Sequence, residues 1–317
     1  MRSEYNRYLK PEVVSRLANL ELKAKFVVEG FIAGLHKSPY HGFSVEFAQH
    51  RQYMPGDDIK FLDWKILGRT DRYYIKQYEE ETNLKSYLIF DTSKSMSFAS
   101  LRGHGAKRRG RSNLKTENDS QLSKIEYAKY LAASLAVLMH FQKDATGLVV
   151  YDESIKNYVR PKSTNQNLKL LLNTLSNAET SGKTNTASVL NEVADKLKRR
   201  GLVIVFSDLF DDQKKVINAL KHFRHYGNEV IVFHILDPQE MNMFIDSPVI
   251  FKDLETNKEL LTQPLQLMEA YKEAVQSFIE TYKRECRAAG IDYVLLSTDT
   301  PFDKGLIEYL NKRKKLM

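Results

Sequence analysis

Oxygen-bearing side chains at three separated places in this sequence form a set that could bind one divalent cation. They occur in Asp-Thr-Ser-Lys-Ser, in Gly-Lys-Thr-Asn-Thr and in Ser-Asp-Leu. The candidate ligands are Asp91, Ser93, Ser95, Thr184 and Asp208. Carboxylate and hydroxyl oxygens are hard ligands, so the set suits Mg²⁺ first and Mn²⁺ or Ca²⁺ as well, whereas zinc prefers histidine or cysteine. Two carboxylates and three hydroxyls leave an open position that a partner's Asp or Glu could occupy.

The spacing inside the first group supports a shared binding face. Alternate residues of an extended segment point the same way, so Asp91, Ser93 and Ser95 can face the ion together. Thr92 and Lys94 then point away, which keeps the lysine charge off the ion. Each piece alone has a simpler explanation, because Ser, Thr and Asp are also common helix caps and turn residues. The metal-site hypothesis depends on all three pieces occurring together.

Two of the three pieces directly follow apolar runs that read as strands, and the third lies in a polar loop between them. From residue 84 onward, strand and helix patterns alternate, which predicts a doubly wound, mostly parallel six-stranded α/β sheet. The predicted strands are Leu84–Asp91, Gly147–Tyr151, Ile155–Val159, Leu202–Ser207, Glu229–Leu236 and Ile291–Leu296. The predicted helices are Ser123–Gln142, Asn165–Ser176, Ala187–Arg200, Gln213–Tyr226, Leu265–Ala289 and Phe302–Lys315.

The expected strand order brings the two aspartates together. In the common order 3-2-1-4-5-6, the first and fourth strands are neighbours at the switch point, where ligands bind outside the carboxyl ends of the strands. These strands lead into Asp91 and Asp208. The third strand follows the second too closely for a crossover, so it should pair antiparallel.

The residues before the sheet have a different character. We predict a segment 1–83 that consists of a helix, Pro11–Glu29 closed by Gly30, and an aromatic-rich stretch of short strands and loops. Residues 84–317 form the α/β domain, which carries a basic insertion at 101–121. Between Arg102 and Lys115 lie six basic residues and no acidic one.

Composition limits the class of protein. The 317 residues include one cysteine, Cys286, so an intramolecular disulfide is impossible. The start lacks the apolar stretch of a secretory signal, and the apolar segment Tyr130–Phe141 is shorter than the roughly 20 residues of a membrane span. We therefore expect a cytoplasmic protein with no membrane span. The net charge of +8 is concentrated in the insertion. That insertion lacks aromatics for base stacking, which argues for a surface loop, with partner contact or nucleic-acid binding as alternatives.

The three ligand motifs resemble the metal-ion-dependent adhesion site of von Willebrand factor A domains. The similarity runs from about Leu84 to the C-terminus. It implies a cation that bridges the protein to a carboxylate of a partner. One departure is Leu209, where many such domains have glycine; it should affect loop geometry more than ligation. The other is the insertion after Ser100.

Motifs before the sheet narrow the resemblance. Gly-Phe-Ser-Val-Glu-Phe (42–47), Arg-Gln-Tyr-Met-Pro-Gly-Asp-Asp-Ile-Lys (51–60) and Asp-Trp (63–64) resemble the family labelled domain of unknown function fifty-eight. Lys60 stands where such sequences more usually have arginine. Members are MoxR-associated proteins, which implies a bacterial cytoplasmic partner of a MoxR-type AAA+ ATPase in maturation or assembly of other proteins. The motif could be a structural brace or a docking surface, for which Glu46, Arg51 and Asp57 are candidates.

Two other functions remain as alternatives. A metal-dependent phosphohydrolase could also begin with an aspartate after the first strand, but such enzymes use a second aspartate two residues later, where this chain has Ser93. Nucleic-acid binding through the basic insertion is the other. Nothing in the motifs resembles an activated nucleophile with an oriented base, so we expect a binding protein and not an enzyme.

Overall fold

A computed structural model of the chain describes residues 10–15, 17, 19–36, 50–52, 68–69, 73–76, 85–99, 122–197, 200–241, 249–252, 259–262 and 264–316. The strands are β1 (His50–Gln52), β2 (Tyr74–Lys76), β3 (Lys85–Asp91), β4 (Ala145–Tyr151), β5 (Ile155–Lys162), β6 (Leu202–Ser207), β7 (Glu229–Leu236), β8 (Val249–Lys252), β9 (Glu259–Thr262) and β10 (Asp292–Ser297). The helices are α1 (Pro11–Val14), α2 (Leu20–His36), α3 (Lys124–Phe141), α4 (Asn165–Ser176), α5 (Thr186–Lys196), α6 (Gln213–His225), α7 (Pro238–Met241), α8 (Pro264–Ala288) and α9 (Asp303–Leu316).

Six of the strands form one sheet in the order β10-β7-β6-β3-β4-β5. All pairs are parallel except β4 with β5, which is antiparallel. The predicted fold class, strand order and antiparallel third strand are confirmed. β3 and β6 lie side by side in the middle of the sheet, with Phe90 opposite Phe206. Their near-continuous apolar runs are buried, as central parallel strands require.

Helices cover both faces of the sheet. One core cluster joins the sheet to residues of α2, α3, α4 and α9. The other joins it to residues of α5, α6 and α8. Almost every described side chain of α3 is buried, so this helix is the central element of the first face. Its N-terminus lies close to the ends of β3 and β6, as the contacts of Lys124 described below demonstrate.

The N-terminal helix differs from its prediction. The pattern predicted one helix that Gly30 ends, but α1 stops at Val14 and α2 runs through Gly30 to His36. Val27, Val28 and Phe31 are buried in the core cluster that includes α3. Burial of this face outweighs the cost of about 1 kcal/mol that glycine imposes inside a helix.

Two short hairpins lie outside the central sheet. β1 pairs antiparallel with β2, in the stretch where short strands were predicted. β8 pairs antiparallel with β9 between α7 and α8, in a stretch for which the sequence predicted no strands. Within the residues that the structure describes, none of the helices is both long and apolar enough to cross a bilayer.

Candidate metal centre

The candidate site lies where β3 and β6 end. Phe90 pairs with Phe206, so Asp91 and Ser207 are the next residues along the two strands. The Ser207 hydroxyl donates a hydrogen bond to Oδ2 of Asp91 at 2.6 Å, and Asp208 follows directly. Residues 116 positions apart in the chain are thus joined at one edge of the sheet. The topology brings the two aspartates to the neighbouring strand ends that the sequence predicted.

Asp91 is fully buried and has neutral hydrogen-bond donors around it. Its Oδ1 accepts from the backbone N–H of Ser93 at 2.8 Å, and its Oδ2 faces the Thr186 hydroxyl at 3.5 Å. Burial, and then the negative charge of Asp208, raise the pKa of Asp91 to about 6. A buried carboxylate beside a second one is costly unless a cation neutralises it.

The two serines of the first motif meet side by side. A short 3₁₀ turn, Lys94–Ser97, follows Ser93 and brings the Oγ of Ser95 to 3.0 Å from the Oγ of Ser93. Adjacent ligands of an octahedral Mg²⁺ at about 2.1 Å lie about 3.0 Å apart, so this spacing fits two ligands of one ion. Lys94 is exposed, and the hydroxyl of Thr92 donates to the carbonyl of Tyr151 at 2.7 Å.

The loop that carries Thr184 is fixed to both neighbouring segments. The Ser181 N–H donates to the carbonyl of Thr92 at 2.9 Å, and its hydroxyl donates to Asp152 at 2.8 Å. Gly182 has a φ of +65°, and a Cβ there would lie 2.9 Å from the Asp152 carboxylate. Thr184 itself is half-buried in this loop. Thr186, which directly precedes the predicted helix Ala187–Arg200, is the first residue of α5, with its hydroxyl near Asp91.

Asp208 has a partner that the sequence analysis missed. The Lys124 ammonium donates to Oδ2 of Asp208 at 2.8 Å and to Oε1 of Glu240 at 2.6 Å. Burial lowers the pKa of Lys124, but the charges of Asp208 and Glu240 outweigh it, so the pKa is raised and the side chain stays charged. Sequence alone offers one signal for this role, a lysine at the start of a mostly apolar helix.

Lys124 also closes the base of the basic insertion. Its backbone N–H donates to the carbonyl of Phe98 at 3.1 Å, while Ser123 caps α3 by accepting from Glu126 N–H. The described segments on either side of the insertion therefore meet at Phe98 and Lys124. Residues 101–121 of the insertion lie outside the described residues, as do Glu46 and Asp57. Arg51 lies in β1, opposite Ile75.

The donor set fits a hard divalent cation. Among the described residues, no group of three or more His, Cys, Asp or Glu side chains could hold a metal ion. An ion at this place therefore needs the hydroxyl oxygens, as the sequence analysis proposed. The 3.0 Å hydroxyl pair and the buried Asp91 carboxylate supply such a mixed set.

Leu209 occupies a strained backbone position just after Asp208. Its φ is +56°, in the left-handed region that favours glycine, and its side chain is fully buried in the second core cluster. The Tyr282 hydroxyl donates to its carbonyl at 3.2 Å. The loop therefore keeps a backbone conformation that glycine would adopt easily. Burial of the leucine side chain offsets the strain of this conformation.

We expect Leu209→Gly to be more stable than Leu209→Ala by about 1 kcal/mol, because only glycine relieves the positive φ. Both variants should be less stable than wild type by about 2–5 kcal/mol, since a buried leucine is lost. Urea unfolding measures both differences. Leu190, fully buried inside α5, is the matched control, where alanine should be the better replacement. The same ranking at both positions would contradict a strain at Leu209.

The fold and the site together define an α/β protein with two buried carboxylates and a row of hydroxyls at the switch point of its sheet. The chain belongs to the family described as Protein of unknown function DUF58, whose pattern matches residues 49–280. Uncharacterized proteins of Mycobacterium tuberculosis and Mycobacterium bovis are 22% identical to it over 312 residues. The alignment with each covers 96% of this chain and 91% of the relative.

Solved structures show partial likeness. A conserved hypothetical protein, BatB from Bacteroides thetaiotaomicron, is 17% identical, with a TM-score of 0.46 over 73% of this chain and 99% of that one. An aerotolerance-related membrane protein from Bacteroides fragilis is 19% identical, with a TM-score of 0.44 over 72% and 99% of the two chains. The von Willebrand A domain of SpRpn10 is 12% identical to this chain, with a TM-score of 0.37 over 72% of this chain and 95% of that domain. These scores are too low to support a functional comparison.

Proposed function

We propose that the protein is a metal-dependent protein-interaction module. A divalent cation, Mg²⁺ first and Mn²⁺ or Ca²⁺ as alternatives, would be held by the side chains of Asp91, Ser93, Ser95, Thr184 and Asp208. Its open position would accept an Asp or Glu carboxylate of a partner. The observation that carries this proposal is the buried Asp91 carboxylate. It lies at the end of the strand next to that of Asp208, and the donors to its oxygens among the described residues are all neutral.

Binding without turnover fits the surroundings of the site better than catalysis. The Ser207 hydroxyl donates to Asp91 and accepts from the N–H of Leu209 at 2.9 Å. Both hydrogen bonds stabilise the loop, so this hydroxyl does not resemble an activated nucleophile. Burial raises the pKa of the Cys286 thiol to about 12, which keeps it unreactive. His234 is buried and its pKa is lowered to about 4 by that burial, so it stays neutral.

The proposed partner is a MoxR-type AAA+ ATPase, or a client of one, in the cytoplasm. This part of the proposal rests on the family resemblance of the segment before the sheet. The exposed lysines at the site, Lys94 and Lys183, would also favour an acidic partner surface.

Ser95→Ala and Asp91→Asn should each weaken binding to a purified MoxR-type ATPase of the same organism by more than about tenfold, as should EDTA. The measurement is surface plasmon resonance with Mg²⁺ present or chelated. Ser95 is half-buried, so its replacement tests the hydroxyl ligand with little effect on the core.

Ser188→Ala is the control for this experiment, because Ser188 is exposed on α5. It should bind as wild type does. Binding that survives both site variants and the chelator would mean that the cation site is not the docking device.

A further inference from the structure

We propose that Lys124 is a positioning residue that withholds one oxygen of Asp208 from the cation and so sets the cation affinity below what the ligands could support. This inference rests on the proposed metal site. It adds a role for a residue that the ligand motifs do not include. Less negative charge from the protein then surrounds the ion. The ion therefore attracts the carboxylate of a partner more strongly.

The geometry leaves Lys124 little freedom. Its side chain is fully buried, and its ammonium bridges Oδ2 of Asp208 and Oε1 of Glu240. The ring of Phe210 covers the ammonium, with the nitrogen 4.8 Å from the ring centroid. Charge-assisted hydrogen bonds to two carboxylates are strong in such surroundings. Asp208 is therefore held by a fixed positive group on its Oδ2 side.

The two anchors of Lys124 are themselves held in place. Oε2 of Glu240 accepts from the backbone N–H of Asp237 at 2.8 Å, at the start of α7. Oδ1 of Asp208 faces the N–H of Phe210 at 3.3 Å. Among the described residues, one oxygen of Asp208 thus accepts from an ammonium and the other from a single long backbone contact. Its Oδ1 is the oxygen that remains for an ion or for a bridging water.

At about pH 8 the four charged side chains of this cluster leave an uncompensated negative charge, which a divalent cation would balance. Asp91, Asp208 and Glu240 carry three negative charges, and Lys124 carries one positive charge, which leaves a net charge of −2. Buried charges are tolerated when they are paired. One divalent cation brings this cluster to neutrality while Lys124 stays in place. Lys124 and the ion are therefore expected to be present at the site together, so Lys124 does not replace the ion.

The test is the affinity for Mn²⁺, measured by isothermal titration calorimetry on the full chain at about pH 8. The variant combines Lys124→Met with Glu240→Gln, which removes one positive and one negative charge and keeps the net charge of the cluster at −2. We expect Mn²⁺ to bind about tenfold more tightly or better, because Asp208 regains both oxygens. Circular dichroism checks that the variant is folded. Should it not fold, Lys124→Gln with Glu240→Gln serves instead, since an amide holds a carboxylate more weakly than an ammonium does.

A matched control exists on the same helix. Lys129 and Glu126 form an ion pair at 3.1 Å further along α3, so Lys129→Met with Glu126→Gln makes the same exchange away from the ligands. It should leave Mn²⁺ affinity unchanged. Unchanged or weaker binding by the folded Lys124 variant would overturn the inference and leave Lys124 as a structural ion pair. Absence of Mn²⁺ binding to the wild-type protein would contradict the proposed metal site instead.

Discussion

At about pH 8 and without metal, the Asp91→Asn variant should be more stable than the wild-type protein, by up to about 3 kcal/mol. Burial, and then the charge of Asp208, raise the pKa of Asp91 from 3.8 to about 6. The folded protein therefore holds this proton more tightly than the unfolded chain does. The stability from this proton is present below about pH 4 and is lost as the pH rises through about 6.

Mg²⁺ should reverse that ranking. A cation that binds only the folded state stabilises it by mass action, and the asparagine variant lacks a charged ligand for the ion. Urea unfolding at about pH 5 and about pH 8, with chelator and with Mg²⁺, gives four free energies of unfolding for each of the two proteins. The wild-type protein should gain stability from Mg²⁺, and Asp91→Asn should gain little.

Asp152→Asn is the control with the opposite sign. Burial raises the pKa of Asp152, but hydrogen bonds from Ser181 and Lys156 outweigh it, so the pKa is lowered. The stability from that carboxylate is present at neutral pH and is lost as the pH falls through the folded-state pKa. Asparagine at 152 should therefore destabilise the metal-free protein at about pH 8. If Asp91→Asn also lost stability without metal at about pH 8, the charge of Asp91 would not destabilise the folded protein.

Replacing Gly201 by alanine should destabilise the protein by about 2–3 kcal/mol and weaken cation binding as well. Gly201 immediately precedes β6, and an added Cβ would lie 2.6 Å from the backbone carbonyl of Lys85 at the start of β3. Neither backbone can yield without moving one strand away from the other. Because the candidate ligands sit at the far ends of these same two strands, the displacement should reach them.

Gly68→Ala is the comparison, since an added Cβ there meets no atom of the described residues within 4 Å. Its free energy of unfolding should stay close to the wild-type value. Thermal or urea unfolding, followed by Mn²⁺ titration of the folded fraction, measures both effects. A Gly201→Ala protein of wild-type stability would contradict the close approach of β3 and β6 at this point.

The sheet could be predicted from sequence because its signals are local. Apolar runs such as Leu202–Ser207 end in polar turns, and short connections restrict strand order to few topologies. That was enough to bring Asp91 and Asp208 to neighbouring strand ends. The end of α2 was mispredicted because Gly30 is a local signal, while burial of Val27, Val28 and Phe31 is a tertiary one.

The Lys124 cluster could not be predicted in the same way. Lys124 and Glu240 are 116 residues apart, and Glu240 lies in α7, a helix of four residues with no periodicity to detect. The start of α5 shows the same difficulty on a smaller scale. The sequence predicted it at Ala187, whereas it lies at Thr186, whose hydroxyl is near Asp91. Contacts that depend on where several elements meet are not encoded in any one window of sequence.

The hydrogen bond between the backbone N–H of Lys124 and the carbonyl of Phe98 joins the two chain segments on either side of the insertion. Lengthening a loop whose ends are already tied costs little, because each doubling of length adds only about 0.6 kcal/mol of closure entropy. Codons can therefore be gained or lost between these segments at little cost in closure entropy. A fluorescent protein or affinity tag inserted between these segments would be joined to the chain next to the candidate metal centre.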